Sequence, residues 1–175
     1  MSMSLYISVL NKINSWEKDN SFPAFDCENY ENYYNTYPLF MISPSTNLGI
    51  QDISLSEIYG DNWAFEKPEK RGFYPKKQKL LSLLSGYTNY RNIYNTPIPP
   101  IPLIKINSKY FCSEGNHRIY LSKILNRKTI QANVHEFDYE SFLINSELIT
   151  SPFGSYVSYQ GVLVEISEVQ ALFYQ

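Results

Sequence analysis

The residues best able to do chemistry stand together at Glu114-Gly115-Asn116-His117-Arg118. Arg118 brings a planar guanidinium that matches phosphate oxygens, and His117 can give or take a proton near neutral pH. Glu114 is suited to binding Mg2+, receiving a sugar hydroxyl, or activating an attacking water or alcohol. Gly115 permits a tight turn and a close approach of ligand to backbone. The run follows Tyr110-Phe-Cys-Ser113, which reads as a short strand. It precedes Leu121, Ile124 and Leu125, which mark the inner face of an amphipathic helix that His117 shares. The sequence thus predicts a strand that breaks at Gly115 and passes directly into a helix from His117 to about Arg127. A helix start carries unpaired N–H groups and partial positive charge, so Gly115, Asn116, His117 and Arg118 form a candidate phosphate or nucleotide cradle. The competing reading is a capped helix, with Asn116 as N-cap, His117 turned inward and Arg118 paired with Glu114. Four polar groups at one strand–helix junction favour the site.

Charge distribution bears on the same choice. Residues 1–65 carry two basic residues against eight acids, a net of −6. Residues 66–128 carry thirteen against three, a net of +10. Residues 129–175 hold six acids and no Lys or Arg. The joint lies inside the basic segment, which either suits an anionic ligand or is neutralised by the acidic flanks across the folded surface. Lys76, Lys77 and Lys79 sit in the first turns of a second predicted helix, where the helix dipole disfavours cations unless something negative is near. They are either simply solvated or the candidate contacts to a DNA or RNA backbone. The acidic flanks are a candidate surface for a protein partner.

The elements that must position the joint can be read from periodicity. Residues 4–18 read as a helix with Tyr6, Val9, Leu10, Ile13 and Trp16 inward, and residues 19–47 as a loop-rich arm packed by its aromatic rings. Ile50 to Ile58 reads as a strand ending in a turn at Gly60-Asp61-Asn62, and residues 61–74 as irregular. Pro75 suits the start of a helix that buries Leu80, Leu81, Leu83 and Leu84 and ends at Gly86. After a Tyr- and Asn-rich loop and an extended Pro-rich run, Leu103–Ile106 and Tyr110–Ser113 form a hairpin. Thr129 to Phe137 alternates as a strand, with Ile130, Ala132 and Val134 on one side. Residues 139–149 read as a surface helix, and Gly161 to Ile166 as a last strand. The expected architecture is one α/β domain over residues 1–175, a small mixed sheet with helices. Residues 1–48 and 138–175 would be extensions around a core at 50–137.

The block from Ile53 to Phe137, most closely over Pro102 to Val134 with Glu114-Gly115-Asn116-His117-Arg118 and Thr129-Ile-Gln-Ala-Asn-Val134, resembles the ParB/sulfiredoxin-like superfold in its Asp/Glu-Gly-x-His-Arg branch. The resemblance covers about half the chain. It implies nucleotide handling at this joint: ATP or another nucleotide, Mg2+ at Glu114, and phosphate transfer or hydrolysis with Glu114 and His117 catalytic. The chain departs from the pattern in three places. Residues 138–175 read poorly as a helix-turn-helix region, so none is expected there. Asn116 stands where sulfiredoxins place a reactive cysteine before His-Arg, which argues against sulfinic-acid reduction. For the upstream acid of the free-serine-kinase relatives, Glu57 is the candidate. A nuclease acting as a toxin or phage-defence component and a non-enzymatic interaction module with a degenerate pocket are the alternatives.

Other reactive residues are sparse. Cys27 and Cys112 have neither metal nor redox spacing, and the two histidines, His117 and His135, make a zinc site a poor fit. His135 is expected on a surface strand. No apolar run reaches membrane-spanning length and no signal-peptide pattern opens the chain, so a cytoplasmic protein is expected.

Overall fold

The computed structural model describes residues 3–15, 30–62, 76–89 and 99–171. Expectations about Trp16, Cys27, Pro75 and residues 19–29, 63–74 and 90–98 fall outside them. The elements are α1 (Met3–Ser15), β1 (Glu31–Asn32), α2 (Tyr33–Thr36), a 3-10 turn (Phe40–Ile42), β2 (Ser45–Ser54), a second 3-10 turn (Leu55–Glu57), β3 (Ile58–Asp61), α3 (Lys77–Asn89), β4 (Ile101–Ile106), β5 (Lys109–Cys112), α4 (Asn116–Ile124), β6 (Thr129–Phe137), α5 (Tyr139–Asn145), β7 (Ser146–Ser151), β8 (Gly154–Tyr159), β9 (Val162–Ile166) and α6 (Glu168–Ala171).

The alternation of apolar side chains builds a six-stranded mixed sheet in the order β1-β3-β5-β4-β6-β2. Successive strand residues face opposite sides, so β4, β5 and β6 each serve two cores. Ile101, Leu103, Cys112, Ile130, Ala132 and Val134 meet Val9 and Ile13 of α1, Leu80 and Leu84 of α3, and Ile119 and Leu121 of α4. Ile106 and Phe111 face the other way, against Tyr33, Tyr37, Phe40, Tyr139 and Phe142, with Val157 and Ile166 of a three-stranded sheet β7-β8-β9. One core is aliphatic and helical; the other is aromatic. Tyr33, Tyr37 and Phe40 of the tyrosine-rich arm are thus explained by packing: the Tyr33 ring meets Phe40 and Phe111 edge-on, at centroid distances of 5.0 and 5.7 Å.

This is a mixed α/β fold, as the sequence predicts, and β4, β5, α4 and β6 follow it closely. Several details differ. The strand expected at Ile50–Ile58 begins earlier, at Ser45, and stops at Ser54. Gly60 lies inside β3, not in a turn, and the reason is steric. β1 runs parallel to β3 with Glu31 opposite Gly60, and a Cβ there would collide with the Glu31 carbonyl. α3 runs through Gly86 to Asn89. α5 ends at Asn145 with Tyr139 and Phe142 buried, and the remainder of the expected surface helix is β7. β8 has no counterpart in the sequence pattern, because its Gly, Ser and Tyr residues give a weak apolar alternation. His135 sits half-buried on β6, an interior strand flanked by β4 and β2, not on a surface strand.

Candidate functional site

Three local features place the joint. The β4–β5 hairpin closes through Asn107 and Ser108, both at positive φ, and sets β5 antiparallel to β4. At the end of β5, Cys112 Sγ donates to the Glu114 carbonyl at 3.1 Å and Ser113 Oγ donates to the Pro102 carbonyl at 3.2 Å. The chain then turns at Gly115, with φ 103° and ψ 16°. Its carbonyl accepts from the Arg118 and Ile119 amides at 2.8 and 3.1 Å, which starts α4. A Cβ at Gly115 would sit 2.8 Å from Ile101 Cγ2, so both backbone angle and space demand glycine.

The helix cap is therefore Gly115, without a side-chain capping bond, and not Asn116. Asn116 occupies the first helical position, 7% exposed, and its Oδ1 has no partner among the described residues. A buried unsatisfied carbonyl oxygen costs about 1–3 kcal/mol, so this position is not optimised for stability alone. Arg118 takes the Pro99 carbonyl through Nη1 at 2.8 Å in place of the Glu114 carboxylate. Its Nε lies 3.5 Å from where a Gly115 side chain would begin, so the guanidinium passes directly over the glycine. Glu114 is exposed at the rim.

His117 makes the connection that sequence reading missed. Its Nε2 accepts the backbone N–H of Lys76 at 3.1 Å, and Lys76 immediately precedes α3. That bond needs the Nε2 lone pair, so the ring is neutral with its proton on Nδ1. Burial first, then the charges of Lys79 and Lys76, hold the imidazole below its ordinary range. The starts of α3 and α4 are thus brought together, with Lys76 and Lys79 exposed beside them. Lys77 serves a structural contact: its Nζ donates at 3.2 Å to the Asn14 carbonyl near the end of α1.

Behind the joint lies a buried carboxylate that the sequence concealed. Asp61 is fully buried at the end of β3, in register with Cys112 of β5, and the Tyr30 hydroxyl donates to its Oδ1. Cys112 is itself fully buried, and burial, followed by the Asp61 charge, pushes its thiol well above the ordinary range. It is a packed thiol rather than a nucleophile. Glu57 stands exposed in the 3-10 turn after β2, whereas Asp61 is the upstream acid nearest the joint in register. Nothing in the local sequence marks Asp61, because its burial comes from the non-local pairing of β3 with β5 and β1.

No group of three or more His, Cys, Asp or Glu that could hold a metal ion occurs among the described residues. No described helix is long and apolar enough to cross a membrane.

Fold and joint together define a mixed α/β protein with a strand–glycine–helix junction facing a second helix start. No known family model matches the chain, and no curated protein matches it. Among solved structures it is similar to sulfiredoxin from Arabidopsis thaliana, with 22% identity over 53% of this chain and 90% of that chain, and a TM-score of 0.37.

Proposed function

We propose that the meeting point of α3 and α4 is a phosphate site, and that the protein is a nucleotide-binding enzyme that transfers or hydrolyses phosphate. ATP or another nucleoside triphosphate is the ligand class. The observation that carries this reading is the Lys76 N–H to His117 Nε2 bond, because it converges two helix starts on one point beside Lys76, Lys79 and Arg118. Two positive helix ends and three cations oppose one another unless an anion lies between them.

In this reading Arg118 clamps phosphate oxygens with the donors that Pro99 does not use, and the amide of Asn116 adds a backbone donor. His117 positions α3; any proton it gives comes from Nδ1. Glu114 at the rim acts as base for the attacking oxygen or as a ligand to Mg2+. One carboxylate fits Mg2+ only when phosphate oxygens and water complete its shell, which is how that ion commonly binds. Bound there, Mg2+ would neutralise charge developing on the phosphate. A nucleic-acid backbone is the second reading, favoured by the exposure of Lys76 and Lys79; it predicts steep salt dependence, whereas a mononucleotide does not.

Thermal unfolding against a nucleotide panel, with and without Mg2+, tests the reading in the wild type and in Arg118→Ala. A ligand at a hundredfold excess over Kd adds about 2.7 kcal/mol to stability. A midpoint rise lost in Arg118→Ala supports the phosphate site. No rise with any nucleotide, both proteins being folded, overturns it.

A further inference from the structure

The sheet β7-β8-β9 lies on the aromatic side of the molecule, and it has its own unassigned surface. β9 pairs with β8 and, among the described residues, with nothing on its other side. The β8–β9 turn consists of Gln160 and Gly161, so Tyr159 and Val162 form the closing hydrogen-bonded pair. Alternation then turns the backbone N–H and C=O of Leu163 and Glu165 toward the open edge. Natural edges are usually blunted by lysine, proline or a bulge. This one reads Val162-Leu-Val-Glu-Ile166, with Val162 60% and Leu163 58% exposed.

Each face beside that edge has a definite character. On the inner face, Val157, Tyr159, Val162 and Val164 join Ile42 and Phe142, with Gln160 of the turn, around a cavity of about 230 Å3. That is below the roughly 300–1,000 Å3 usual for small-molecule sites, and it suits one or two apolar side chains. On the outer face, the register aligns Glu147 with Ser158 and Leu163, and Ile149 with Tyr156 and Glu165. Glu147 and Glu165 are both exposed, and residues 129–175 contain no Lys or Arg to answer them.

We propose that β9 is a docking edge for a partner protein, which adds an extended segment to the sheet with apolar residues alternating with Lys or Arg. Its backbone pairs with Leu163 and Glu165. Its apolar side chains enter the cavity behind Val162 and Val164, and its basic side chains lie along Leu163 and Glu165 on the outer face. The alternation of a strand delivers both sets at once, and charge complementarity selects against an acidic segment. This inference is independent of the phosphate site.

Fluorescence anisotropy of two labelled ten-residue peptides, alternating valine–lysine and valine–glutamate, tests it on the full chain. The valine–lysine peptide should bind at least about tenfold more tightly than the valine–glutamate peptide, and Glu165→Lys should narrow or reverse that preference. Leu163→Pro should abolish binding, because it removes an outward N–H while leaving the β8–β9 ladder intact. Far-UV circular dichroism confirms that both variants fold. Equal binding of both peptides, or binding indifferent to both substitutions, overturns the proposal. So does sedimentation showing a dimer that Leu163→Pro dissociates, since the edge would then belong to a second copy of the chain.

Discussion

At the α3–α4 joint, polar contacts between residues far apart in sequence fix the backbone: His117 with Lys76, Arg118 with Pro99, Lys77 with Asn14. In the β7-β8-β9 sheet, hydrogen bonds between sequence neighbours and one layer of aromatic packing do that work. The joint also retains features that cost stability, namely like charges gathered together and a buried Asn116 Oδ1 without a partner among the described residues. The small sheet instead leaves apolar side chains in water at its edge. Each region is locally suboptimal in a different currency, electrostatic in one and hydrophobic in the other, and each therefore points to a different kind of ligand.

The sharpest way to break the comparison is to detach the sheet from its core. Phe142 is 1% exposed, with its ring against Tyr139 and Tyr159. Phe142→Ala should cost about 3–5 kcal/mol by urea unfolding. It should leave the pairing of His117 with Lys76 in place, which amide exchange at Lys76 would report. Next comes Gly115→Ala, which combines a positive φ with a clash against Ile101. A loss of about 2–4 kcal/mol is expected at constant m value; a loss below about 0.5 kcal/mol would mean that the turn is not held as described.

A third test is pH. The folded-state pKa of His117 lies below its unfolded value of about 6.5. As pH falls through that unfolded value the unfolded chain takes up the proton first, so stability declines until the folded ring titrates too. Protonation also replaces the acceptor at Nε2 with a donor and breaks the bond to Lys76. Urea midpoints measured from about pH 8 down to 5 should fall in the wild type and fall less in His117→Gln. His117→Ala should cost about 0.5–1.5 kcal/mol at neutral pH. The smallest effect belongs to Lys105 and Glu136, paired at 2.7 Å on the strand surface. A double-mutant cycle should assign this pair about 0–1 kcal/mol, diminishing with salt.

The sequence announces some of this architecture and hides the rest for physical reasons. β6 is legible because Ile130, Ala132 and Val134 alternate without interruption. The strand–helix break at Gly115 is legible because an apolar strand gives way there to helical spacing. Gly60 misleads because glycine marks both turns and close backbone approach, and only the partner strand distinguishes them. Residues 146–151 mislead because Leu148 and Ile149 extend the helical spacing of α5. The candidate site was half visible: Glu114, Gly115, Asn116, His117 and Arg118 are adjacent in sequence. The role of His117 at α3 and the burial of Asp61 are set by contacts 41 and 31 residues away, which no local pattern records.

The most direct test of the central claim is a titration of the isotopically labelled protein with ATP and Mg2+, followed by amide and imidazole NMR shifts. The phosphate-site account predicts saturable shifts concentrated at Gly115 to Ile119, at Lys76 and in the His117 ring, with β7-β8-β9 unchanged. Saturable shifts confined to other regions, or no shifts at millimolar nucleotide, would contradict it.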